Sequence, residues 1–190
     1  MNNPTAVAVF GSSQTKPNTP EWEAAEAVGH RLGSTGIAVV TGGYSGTMEA
    51  VSKGAAEAGG HVIGVTAPAL FPKRAGANPF VTEEIPASSL TERIGTMMRL
   101  AAGAIALPGS IGTATELLVA WNLNYIHRRH DTDGETPTVA VGPGWRKVVA
   151  VLVDAVGAAS QDVHVVDDPQ EAVDWILSQL DIRGAETPAL

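Results

Sequence analysis

The stretch Ala104–Glu116, AIALPGSIGTATE, decides the fold. Ala104 to Leu107 run without a polar interruption, as a strand covered on both faces does. They stop at Pro108-Gly109-Ser110-Ile111-Gly112-Thr113, where two glycines let the main chain turn tightly and approach a ligand closely. A helical pattern follows from Thr113 to His127. Strand, glycine-rich turn and helix form the repeating unit of a parallel α/β sheet, and the amides at the start of such a helix point at any bound anion.

The same unit recurs outward along the chain. Apolar runs at Ala6–Phe10, Ile37–Thr41, His61–Val65, Thr138–Val141 and Val163–Val166 read as further buried strands, with a weaker extended piece at Phe80–Glu83. Between them, helical spacing covers Pro20–Ser34, Gly46–Ala58, Ser89–Ala101, Trp145–Ala158 and Pro169–Leu180; Thr19 is placed as an N-cap with Pro20 at the first helical position. Strand then helix, about six times over, predicts a Rossmann-like doubly wound sheet of six or seven strands in three layers. Residues 1–181 are expected to form one domain, and 182–190 a disordered tail. Thr66–Pro79, TAPALFPKRAGANP, is a long irregular connection, equally consistent with a lid over a site and with a solvated loop.

Composition narrows the function classes. The 190 residues carry no cysteine, which excludes disulfides, thiolate metal sites and cysteine nucleophiles. Net charge is −8, against a basic nucleic-acid groove, and no apolar run reaches the ~18 residues of a membrane span. The start MNNPTAVAVF lacks the charged region of a signal peptide, so a cytoplasmic address is expected.

Ligands of an open parallel sheet collect beyond the carboxyl ends of its strands. Three glycine-rich turns qualify: Gly11-Ser12-Ser13, Gly42-Gly43-Tyr44-Ser45-Gly46, and Gly109 to Thr113. The third is a phosphate cradle candidate. None has the G-x-G-x-x-G spacing or a P-loop lysine, so hydride transfer and ATP hydrolysis lose ground. Thr113 and Glu116 have the T-x-x-E spacing of a capping box, yet the same carboxylate beside an anion-binding loop is placed to touch a sugar hydroxyl or a water. Ser89 and Glu92 repeat that spacing, and Glu92 reads as structural. On the same helix Leu90, Ile94, Met97 and Ala101 make an apolar stripe; Arg99 points opposite it, whereas Arg93 lies on its flank, able to snorkel or to present a guanidinium to a ligand. His127-Arg128-Arg129-His130 falls at a helix C-terminus, where positive charge complements the helix dipole, and no metal or cofactor is called for.

FGSSQ (Phe10–Gln14), TGGYSGTMEAV (Thr41–Val51), ERIGTMM (Glu92–Met98) and LPGSIGTATE (Leu107–Glu116) together resemble the LOG (Lonely Guy) family, long mislabelled as lysine decarboxylases. The resemblance implies a homodimer that hydrolyses the N-glycosidic bond of nucleoside 5′-monophosphates, AMP or an N6-substituted cytokinin nucleotide, to free base and ribose 5-phosphate. It also implies that Arg93 and Glu116 form the catalytic pair, that Gly109 to Thr113 bind phosphate, and that Gly11, Ser12, Ser13, Gly42, Gly43 and Gly46 line the substrate site. The chain departs from the family at Ile94, usually lysine, and at Ser110, usually glycine. The base pocket is expected from Tyr44, the 66–79 loop and a second subunit. The helix from Thr113 carries Leu117, Leu118, Trp121, Tyr125 and Ile126 on more than one face, so a partner subunit is the simplest cover, with the chain's own C-terminal helices as the alternative. The competing function is a non-catalytic nucleotide or molybdenum-cofactor carrier, which needs the cradle but no acid.

Overall fold

The computed structural model describes residues 5–74, 76–130, 135–158 and 160–180; the expected tail lies outside them. Among the described residues seven strands and six α-helices follow one another: β1 (Ala6–Phe10), α1 (Pro20–Ser34), β2 (Ala38–Thr41), α2 (Thr47–Glu57), β3 (Val62–Thr66), β4 (Glu83–Pro86), α3 (Leu90–Leu100), β5 (Gly103–Ala106), α4 (Ile111–Arg129), β6 (Thr138–Val141), α5 (Pro143–Val156), β7 (His164–Val166) and α6 (Pro169–Gln179). All the strands pair in parallel, in the order β4-β3-β2-β1-β5-β6-β7. The Rossmann-like expectation is met. The chain walks outward from β1 to β4, then returns to lay β5 on the other side of β1. That reversal opens a crevice at the carboxyl ends of β1 and β5, whose last residues Phe10 and Ala106 are in register.

Side chains alternate across the sheet and feed two cores. Val7, Val9, Val39 and Ile105 meet α1, α2 and α6 through Val28, Leu32, Val51 and Ile176. Ala8, Phe10, Val40, Ala104 and Ala106 face the other layer, where Met97, Leu117, Trp121 and Trp145 fill the space that the small strand residues leave. Glycine lets α1 and α2 touch backbone to backbone: a Cβ at Gly29 would lie 2.0 Å from the Val51 carbonyl oxygen, and one at Gly54 1.9 Å from that of Glu26.

Helix ends follow the sequence signals. Thr19 caps α1 by accepting the Trp22 N–H, Asp168 caps α6, and Ser89 caps α3 by accepting the Glu92 N–H at 3.1 Å. Glu92 is structural as expected, though its carboxylate takes the Ser88 N–H, one residue before the cap. β4 begins three residues later than the extended piece read from sequence. It is an edge strand with exposed Glu83 and Glu84, so it lacks the apolar run that marks its neighbours, and Pro86 is tolerated because its missing donor faces no further strand.

Candidate active site

Three turns converge on the crevice. The Ser12 carbonyl accepts the Thr47 N–H at 2.8 Å, tying the first turn to the start of α2, while the Ser12 hydroxyl accepts the Gln14 N–H at 3.0 Å. A Cβ at Gly11 would lie 2.3 Å from the Thr47 methyl carbon, and one at Gly46, whose φ is 78°, would lie 2.3 Å from the Ser12 carbonyl oxygen. Both positions therefore admit only glycine without local movement. The third turn is held from behind by Trp145, whose indole N–H donates to the Leu107 carbonyl at 2.9 Å.

α4 starts at Ile111, two residues earlier than expected, with Ser110 as an N-cap that makes no side-chain hydrogen bond. Its first-turn amides are thus open to the crevice, and Glu116 falls in the second turn. The capping-box alternative for Thr113 and Glu116 does not form, because a box needs the glutamate at the third helical position. Ser110 has a φ of −108°, so a serine in place of the family's usual glycine costs the backbone nothing.

Arg93 is buried, not snorkelling. Its Nε donates to the Val65 carbonyl at 2.7 Å and its Nη2 to the Gly42 carbonyl at 2.7 Å, so the chain ends of β2 and β3 fix the guanidinium plane. Nη1 then stands 3.9 Å from Oε1 of Glu116, an ion pair too long to be a hydrogen bond. Arg93 is the sole partner of that carboxylate among the described residues. Burial drives the Glu116 pKa from 4.5 up to about 7, with the Arg93 charge pulling the other way. Burial likewise depresses the Arg93 pKa, opposed by Glu116. Arg99, on the outer face of α3, donates to Thr96 instead. Ile94, where the family usually carries lysine, is buried and continues the apolar stripe.

Gly11, Ser13, Gly42, Ser110, Gly112, Thr113, Arg93 and Glu116 line one cavity of about 140 Å³. Thr113 Oγ1 is buried there with no hydrogen-bond partner, the one such side-chain atom among the described residues. Ser12 and Gly109 line an adjoining, larger cleft of about 630 Å³ with Thr15, Lys16 and Thr47. Gly43, with a φ of 74°, and Gly46 shape the second turn without facing the cavity, and the Ile111 side chain points outward, 83% exposed. The sequence marks the 66–79 loop, with its Lys73–Arg74 pair, as a lid candidate but not which of its side chains face a site. Phe71 and Arg74 close the cavity while Lys73 stays exposed, and Met48 and Met97 form its apolar wall. A lone arginine in an irregular loop carries no periodicity by which its direction could be read.

The match with the SLOG cluster4 family spans residues 4–128, which include all three turns and α3. The chain belongs to that family. Among curated relatives of this SLOG cluster4 protein, the "Pyrimidine/purine nucleotide 5′-monophosphate nucleosidase" of Escherichia coli K12 is 33% identical over 149 residues, 74% of this chain and 31% of the relative. "Cytokinin riboside 5′-monophosphate phosphoribohydrolase LOG" of Oryza sativa subsp. japonica is 40% identical over 126 residues, 65% of this chain and 52% of the relative. The chain thus spans about a third and about half of their lengths. The resemblance to the LOG family is borne out. The molybdenum cofactor binding protein of Rippkaea orientalis shares the fold, with a TM-score of 0.70 over 95% of this chain and 99% of that one, at 21% identity. No helix among the described residues of the SLOG cluster4 chain is long and apolar enough to cross a membrane, and none of its described His, Asp or Glu side chains gather in threes as a metal would require.

Proposed function

We propose that the chain hydrolyses the N-glycosidic bond of nucleoside 5′-monophosphates. The observation that carries this reading is the buried Glu116 carboxylate facing the backbone-anchored Arg93 across a cavity that also holds the unpartnered Thr113 hydroxyl. The first turn of α4 and Thr113 hold the phosphate, which positions the ribose below Glu116. As the bond between C1′ and the base breaks, its electron pair leaves with the base and positive charge grows on the ribose. The Glu116 carboxylate stabilises that charge and accepts a proton from the water that attacks C1′; the proton then passes to the departing base. Arg93 keeps the carboxylate available in its charged form. The names of the nucleosidase and LOG relatives support this class of substrate.

Three finer points belong to the same proposal. The substrate is AMP or an N6-substituted, cytokinin-type AMP, as the LOG resemblance implies. The protein works in the cytoplasm, consistent with its lack of cysteine. It works as a homodimer: Leu118, Tyr125 and Ile126 of α4 and Val148, Val151 and Val156 of α5 remain exposed, so the chain's own C-terminal helices do not cover that face. A cavity of about 320 Å³ between these helices, lined by Leu118, Trp121, Tyr125, Leu152 and Val156, offers a seat for a second copy.

A non-catalytic carrier, or a binding protein of the kind the Rippkaea neighbour is named as, would need the cradle but not the buried acid. Incubation with AMP decides between them: release of adenine and ribose 5-phosphate, lost in Glu116→Gln, supports hydrolysis, whereas tight binding without release supports the carrier.

A further inference from the structure

The loop between β3 and β4 places a second guanidinium in the Glu116 cavity. Arg74 lines it together with Arg93, Thr113 and Ser13. Its Cζ lies 4.4 Å from the ring centre of Tyr44 and 4.4 Å from that of Phe71, and these rings meet edge to face at 5.4 Å and 75°. Stacking in the crook of two rings uses the face of the guanidinium and leaves its in-plane N–H donors for something else. Among the described residues no carboxylate pairs with Arg74 and no side-chain hydrogen bond engages it.

The cavity collects two arginines against one carboxylate, in a chain whose net charge is −8. The charge of Arg74 adds to the cost of keeping Arg93 protonated. The Thr113 hydroxyl lines the same cavity, buried and unanswered. Surplus positive charge, a planar set of donors and an orphan hydroxyl in about 140 Å³ together match a compact anion with several acceptor oxygens.

We propose that Arg74 is a specificity residue for the substrate's 5′-phosphate, closing on it from the loop while Thr113 and the first turn of α4 hold it from the sheet edge. This rests on the nucleotide reading above and adds to it the means by which a nucleotide is chosen over its nucleoside. A lysine would supply charge but neither the flat stack nor the fork of donors.

Calorimetric binding of AMP, ribose 5-phosphate and adenosine to wild type, Arg74→Ala and Arg74→Lys tests this, with AMP turnover measured in parallel. The alanine variant should bind AMP and ribose 5-phosphate about ten- to a hundredfold more weakly, the loss expected for a charge-assisted contact, and should bind adenosine within about twofold of wild type. KM for AMP should rise while kcat stays within about threefold, and the lysine variant should recover part of the affinity. Equal weakening of AMP and adenosine, unchanged AMP affinity, or a fall in kcat at constant KM would each overturn the assignment. If wild type binds AMP but releases no adenine, hydrolysis fails as a function and the binding comparison still judges Arg74. If wild type binds neither phosphate compound, both readings fall.

Discussion

Arg93 occupies the space that a side chain at position 42 would need: its Nη2 donates to the Gly42 carbonyl at 2.7 Å, and a Cβ on residue 42 would stand 1.9 Å from that same nitrogen. Gly42 is therefore the mould in which the guanidinium is set. Gly42→Ala should displace Arg93 and lower kcat by about tenfold or more, approaching the loss in Arg93→Ala, while far-ultraviolet circular dichroism stays that of the wild type. Wild-type kcat in the alanine variant would show that Arg93 needs no such mould.

Glu116→Gln should abolish AMP turnover and retain phosphate binding. It should also change stability in a pH-dependent way. The folded-state pKa of Glu116, about 7, lies above the ordinary 4.5, so its contribution to stability is complete below 4.5 and is lost as pH rises through 7. At pH 8 the ionised, buried acid costs about 3 kcal/mol, a cost glutamine does not bear. Thermal unfolding should show the variant more stable than wild type at pH 8 and equal to it near pH 4.

The pH dependence of kcat/KM should follow the same group. Activity should rise with pH along an acid limb centred near 7, where the carboxylate forms. Arg93 is the charge that holds this pKa down, so Arg93→Gln should move the limb to higher pH as well as lower its plateau. A limb that stayed in place would separate the two residues functionally.

Thr113→Val replaces the unpartnered hydroxyl with a methyl of the same shape. Removing a buried donor that finds no acceptor should raise the stability of the ligand-free protein by about 1 kcal/mol, read from denaturant unfolding. Affinity for ribose 5-phosphate should fall at the same time. Loss of stability would mean that the hydroxyl is satisfied in solution, by water.

Much of this was legible in the residues themselves. The β1, α1 and β6 boundaries match the sequence reading because Thr19, Pro20 and the short Val- and Ala-rich runs leave little choice. Arg93 and Glu116 were singled out by position on helices, yet spacing alone left both with structural alternatives. The deciding contacts run across 23 positions between the two residues, and through Val65 and Gly42, 28 and 51 positions from Arg93. Such pairings leave no local pattern. Asn124 shows the same limit: a polar residue among apolar neighbours on α4, it is buried and its side chain binds the Thr136 backbone and the Thr138 hydroxyl.

The segment over the cavity is pinned at two posts. The Tyr44 hydroxyl accepts the Ala67 N–H at 2.8 Å, and the Asn78 side-chain amide donates to the carbonyls of Gly43 and Tyr44 at 3.2 and 3.1 Å. Both posts stand on the turn that also carries Gly42. Between those posts Phe71 and Arg74 reach over the cavity from ends already riveted to its rim. With its ends held together, the span escapes the entropic toll of bringing a loop's termini into contact, and its posts share the turn whose Gly42 carbonyl anchors Arg93.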